Sequence, residues 1–97
     1  IGPSIGPDVY EVGPEVIELF KQEFESVQII KPINNTNKAL LNLWETNKQI
    51  LVQSGVLGKN IEVAEMCTYS NPELFYSARR DNNKTGRLAS GIMIKTV

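Results

Sequence analysis

Histidine is absent from this chain of 97 residues, and cysteine occurs once, as Cys67. The first absence removes Ser-His-Asp and Cys-His nucleophile pairs, imidazole general bases and the usual zinc sets from the chemistry these residues perform alone. The second excludes an intrachain disulfide and points to a reducing, cytoplasmic setting. No apolar run approaches the ~18 residues of a membrane helix, and no signal peptide is visible. Charge of one sign is also missing. Ten basic residues against eleven acidic ones leave a net charge of −1, which argues against general binding to nucleic acid or membrane surfaces. A chain this short suits one domain at most, and its first residue is Ile1 rather than Met, as expected of a fragment or processed product.

What is present begins with "IGPSIGPDVYEVGPEV", in which Gly-Pro recurs at 2–3, 6–7 and 13–14. Glycine admits positive φ and proline fixes the next φ near −65°, so the stretch reads as a rigid bent path scaffolded by Gly2, Pro3, Gly6 and Pro7. The third pair opens a helix, with Pro14 at its first position and Val16, Phe20, Phe24 and Val27 along one face. "VQIIKPI" is β-branched and closed by Pro32, as in an edge strand or extended connector. "NNTN" makes a turn in which Thr36 or Asn37 caps a second helix over roughly 38–53, with Leu40, Leu43, Trp44, Asn47 and Leu51 sharing a face and Gly55 as its left-handed stop. Trp44 and the phenylalanines read as core. "IEVAEM" alternates as a half-buried strand, and Asn71-Pro72 starts a short turn or helix. "LASGIMIKTV" is apolar on both alternate faces, as in a strand covered on both sides.

These elements predict an α+β fold, a mixed sheet packed with helices. The apolar final strand needs more sheet than 97 residues supply, so residues 1–97 read as one incomplete C-terminal portion of a larger α/β domain. The triplets Asn34-Asn35-Thr36 and Asn83-Lys84-Thr85 match glycosylation acceptors but, without a secretory signal, read as polar loops.

All three arginines, Arg79, Arg80 and Arg87, fall in "ARRDNNKTGR". Guanidinium forks bind phosphate or carboxylate, and Thr85-Gly86 offers a hydroxyl and a close-approaching N–H, so an oxyanion site is one reading. A solvated loop in which Asp81 pairs with an arginine is the other. Cys67, followed by Thr68 and Tyr69, stands just after a predicted strand, where ligand-facing residues collect, or serves as a small buried hydrophobe. Asp8, Tyr10 and Glu11 are further candidates to face a ligand.

Three segments, "IGPSIGPDVYEVGPEV", "LWETNKQILVQSGVLGKNIEV" and "CTYSNPELFYSARRDNNKTGRLAS", resemble in order and spacing the C-terminal part of the laccase-domain polyphenol oxidase family, also called purine nucleoside phosphorylase laccase-domain proteins. The resemblance covers nearly the whole chain. It implies a longer cytosolic enzyme of mixed α/β fold that phosphorolyses adenosine, inosine, guanosine and methylthioadenosine and deaminates adenosine. An alternative is the copper-dependent phenol oxidation from which the older name comes. It also implies a zinc or copper site of His, Cys and His ligands upstream of these residues, so none of those ligands transfers and no metal is expected on this segment. Asp8-Val9 and Ser70 stand where the family often has cysteine, which weakens any further thiolate ligands here. On this resemblance Tyr10 lies near the nucleoside, while Arg79, Arg80 and Arg87 are candidates for phosphate or the departing purine. Partners are purine nucleoside, phosphate and the N-terminal portion of the same protein. In a third reading the chain is a non-catalytic piece that folds only with such a partner.

Overall fold

The third Gly-Pro pair does start a helix. In the computed structural model, which describes residues 1–24 and 28–95, α1 runs over Pro14–Glu23 with Pro14 at its first position. Val16, Ile17, Phe20 and Phe24 pack against the core, and the Phe20 and Phe24 rings lie 5.6 Å apart. Val27, also assigned to that face, lies outside the described residues, as do Thr96 and Val97 of the final apolar run.

A three-stranded antiparallel sheet supports the helix. Its strands are β1 (Glu11–Val12), β2 (Ile30–Pro32) and β3 (Ala39–Leu41), in the order β1-β3-β2. Pro32 falls on an edge strand, where its missing N–H is tolerated. The register sets Val12 and Pro32 on either side of Ala39, and Ile30 opposite Leu41. Val12, Ile29, Ile30, Ala39 and Leu41 form the buried core, with Ile29 and Leu41 almost wholly enclosed. Burial of side chains of that size contributes about 1.5–3 kcal/mol each.

The second helix starts later than its periodicity predicts. Ala39–Leu41 pair as strand, and α2 spans Leu43–Gln53. Thr36 caps no helix: its hydroxyl donates to Ile33 O at 2.8 Å and its N–H to the same carbonyl at 3.2 Å, closing the β2–β3 hairpin turn with Asn35 at φ 62°. Leu40 therefore belongs to the sheet rather than to the helix face. The cap is Asn42, whose Oδ1 accepts from Glu45 N at 3.0 Å while its own N–H donates to Ile29 O at 2.8 Å. The far end follows the prediction: Gly55 sits at φ 100°, Gly55 N–H bonds Val52 O and Val56 N–H bonds Leu51 O, the paired bonds of a Schellman stop. A 3₁₀ turn follows at Gly58–Asn60.

Two predicted strands are not formed. "IEVAEM" runs extended beside residues 1–4, with Ala64 N–H on Ile1 O at 2.9 Å and Ser4 N–H on Met66 O at 3.3 Å. Glu65 at φ 54° breaks its alternation, and the parallel pairing shrinks to a single bridge between Ser4 and Cys67. Ile92, Met93 and Ile94 stand almost fully exposed, because no other described strand lies alongside them. The fold is α+β as expected, with an antiparallel sheet and that one parallel bridge. Among the described residues no helix is long and apolar enough to cross a membrane.

Candidate functional site

The bent N-terminal path and the arginine loop meet. Ser4 N–H and O bond Met66 O and Thr68 N–H, so the first residues lie against the segment that ends at Cys67. Of the Gly-Pro glycines none takes positive φ; Gly55 alone among the described glycines does. Their use is close approach. A methyl on Gly6 would sit 3.2 Å from Cys67 Cβ and 3.3 Å from Trp44 Cη2, and one on Gly2 would meet Ser90 Cβ at 2.8 Å. The rigidity read from the sequence is thus a packing constraint rather than a left-handed backbone.

Between these walls lies a hollow of about 300 Å³ lined by Pro3, Ser4, Tyr10, Thr68, Arg79 and Arg87, among others. Tyr10 comes from the residues just before β1, and the Arg79 guanidinium carbon lies 5.0 Å from its ring centroid. Such a cation–π contact contributes about 0.5–1 kcal/mol at an exposed site and directs the charge. Arg87 donates to the neighbouring carbonyls of Thr85 and Gly86, at 2.9 and 3.3 Å. Gly86 is packed under the Tyr76 ring, where a methyl would come within 3.1 Å of three ring carbons. Thr68 and Ser77 on this wall are buried, and Ser4 Oγ is buried with no hydrogen-bond partner among the described residues. The hollow combines aromatic faces, hydroxyls and two guanidinium groups, a set that suits a polar ring compound carrying or accompanying an anion.

Other candidates stand elsewhere. Asp8 and Glu11 line an adjoining hollow of about 360 Å³ on the other side of Arg79. Pro7 faces a separate depression against β2. A further cavity of about 530 Å³ between α1 and α2 contains none of the candidate residues. Arg80 turns away from the hollow: its NH1 donates to Thr68 O at 2.9 Å and Tyr69 O at 3.3 Å, its NH2 to Phe75 O at 2.8 Å, and Asp81 takes Nε and NH2 at 3.4 and 3.3 Å. The pairing of Asp81 with an arginine, one of the two sequence readings of this loop, holds for Arg80.

Cys67 lies behind the N-terminal wall, with Gly6 N–H donating to its Sγ at 3.1 Å. Burial pushes the thiol up, but the Ser70 hydroxyl and the N–H groups of Gly6, Ser70 and Tyr69 outweigh it and leave the thiol below its ordinary value. Among the described residues no three His, Cys, Asp or Glu side chains converge into a set that would hold a zinc or copper ion by itself. Sequence reasoning missed Ser4, Tyr76 and Ser77 as lining residues. Ser4 carried one signal, its place between two Gly-Pro pairs.

The family model described as "Multi-copper polyphenol oxidoreductase laccase" matches residues 1–95. A Bacteroides thetaiotaomicron protein named purine nucleoside phosphorylase is 43% identical over 95 residues, which are 97% of this chain and 35% of the relative. A protein named adenosine deaminase RL5, from an unknown prokaryotic organism, is 38% identical over 98% of this chain and 37% of its own length. The crystal structure of Bacillus licheniformis hypothetical protein YfiH superposes with a TM-score of 0.80 at 36% identity, covering 88% of this chain and 32% of that one. The chain spans about a third of the length of the curated relatives it matches.

Proposed function

Because the chain belongs to the multi-copper polyphenol oxidoreductase laccase family, we propose that the hollow between Tyr10 and Arg79 is one wall of a purine nucleoside phosphorylase site in a longer protein. The observation that carries this reading is the convergence of Tyr10, Arg79 and Arg87 on one hollow of about 300 Å³. The name of the Bacteroides relative supports the reaction class, and the short span of the match supports a site completed by the remainder of such a protein.

Phosphorolysis forms a bond between a phosphate oxygen and C1′ of the ribose and breaks the bond from C1′ to the purine. The purine leaves with the electron pair and takes up a proton. The reaction needs an anion held beside C1′ and positive charge or donors near the departing base. In this proposal Arg79 and Arg87 hold phosphate, while Tyr10 and the Ser4 and Thr68 hydroxyls border the nucleoside. A zinc or copper ion in such a protein would draw most of its ligands from the remainder, since no three ligating side chains converge among the described residues. Replacing Arg79 by Ala in the longer protein should raise the phosphate KM at least tenfold. An unchanged phosphate KM with unchanged turnover overturns the assignment.

A second reading follows from the family description, which names a copper oxidoreductase. Phenol oxidation that vanishes on metal removal and returns with copper, without phosphorolysis, would establish it instead.

A further inference from the structure

Arg79 and Arg80 are adjacent in one turn, and their side chains part. Arg79 is exposed and reaches over the Tyr10 ring, whereas Arg80 is half-buried and reaches the carbonyls of Thr68, Tyr69 and Phe75. Nε, NH1 and NH2 of Arg80 are all engaged, three carbonyls on one side and the Asp81 carboxylate on the other. A phosphate could bind there only by displacing that carboxylate or leaving carbonyls unpaired, each of which costs more than a hydrogen bond returns.

The anchors of Arg80 are also informative. Thr68, whose carbonyl receives NH1, donates its own N–H to Ser4 O at 3.1 Å. A continuous path therefore runs from Arg80 through Thr68 to the opposite wall of the hollow. At its other end the turn is closed by Arg80 N–H on Ser77 Oγ at 3.3 Å and Asp81 N–H on Ser77 O at 3.0 Å. With the guanidinium of Arg80 pinned to the 68–75 loop and its backbone pinned to Ser77, the preceding residue projects from a fixed turn toward Tyr10.

We propose that Arg80 is a positioning residue: it locks the 68–75 loop to the 77–81 turn and thereby holds the Arg79 guanidinium over Tyr10 on the wall of the hollow. A planar fork is required, because one ammonium cannot reach two loop carbonyls and Phe75 O while facing Asp81.

The test is NMR of the longer protein with labelled tyrosine rings and labelled Ile and Leu methyls. Arg79→Ala gives the Tyr10 ring signals of a face without its guanidinium. Arg80→Ala should move the Tyr10 signals at least half of the way to those of Arg79→Ala, while the Ile29 and Leu41 methyls keep their places. Tyr10 signals that stay at the wild-type position in Arg80→Ala overturn the proposal. If the core methyl dispersion collapses in Arg80→Ala, Arg80→Lys, which keeps the charge and most of the volume, decides by the same criterion. Loss of phosphorolysis in any variant of the longer protein bears on the functional reading and leaves these ring shifts as they are.

Discussion

Cys67 shows how much a single side chain reports. Its thiol is lowered because the Ser70 hydroxyl and three backbone N–H groups overcome the opposing effect of burial. The thiolate is therefore favoured more in the folded chain than in the unfolded one. The resulting stabilisation is fully present above the unfolded thiol value of about 8.5. It is lost as pH falls through the lower value of the folded state. The urea midpoint of the chain should rise with pH across that interval, and Cys67→Ser should flatten the rise. An equal slope in both proteins would mean that the N–H groups do not favour the thiolate.

At the scale of elements, the decisive residue is Asn42. It ends β3, donates its N–H to Ile29 O and caps α2 through its side chain, so one residue joins the sheet to the helix. Asn42→Ala should lower stability by about 1 kcal/mol, while Thr36→Ala should not shorten α2; urea unfolding and helical circular dichroism check both. The sequence contained this signal. Asn42-x-x-Glu45 is a cap spacing, but the apolar period extending back to Leu40 masked it, since a short buried strand and a helix face both repeat Leu. α1 and the Gly55 stop were legible because Pro14 and Gly55 act through their own backbone. "IEVAEM" and the final apolar run were misread because strand formation depends on a neighbour, which local pattern does not contain. The site was half legible for the same reason. Residue type marked Tyr10 and the arginines, but only the fold distinguishes Arg79, free to face the hollow, from Arg80, whose donors are committed to carbonyls and Asp81.

On the scale of the whole molecule, the chain is elongated, 54 by 33 by 17 Å, with its apolar end uncovered. Ile92 and Ile94 expose more than 90% of their surface, which is unusual for consecutive apolar positions on one side of a segment. In the 97-residue chain the amides of residues 91–95 should exchange with solvent at rates within about tenfold of an unstructured peptide, whereas those of β3 should be protected. Strong protection at 91–95 would require pairing that is absent among the described residues. The functional proposal depends on this scale too. Its wall is made by residues near both ends of the chain, with Gly2 set against Ser90.

The bridge between Ser4 and Cys67 joins residues 63 positions apart, while the sheet is closed by the hairpin of β2 and β3. Loop-closure entropy delays contacts of long sequence separation until local ones have offset part of the cost. The hairpin and α2 are therefore the early structure, and the N-terminal path docks last. During synthesis that path must wait for residue 68 to leave the ribosome before it finds its partner. The hollow beside Tyr10 then becomes a late product of folding, so a chain that has acquired its sheet and helices does not yet have its two walls together.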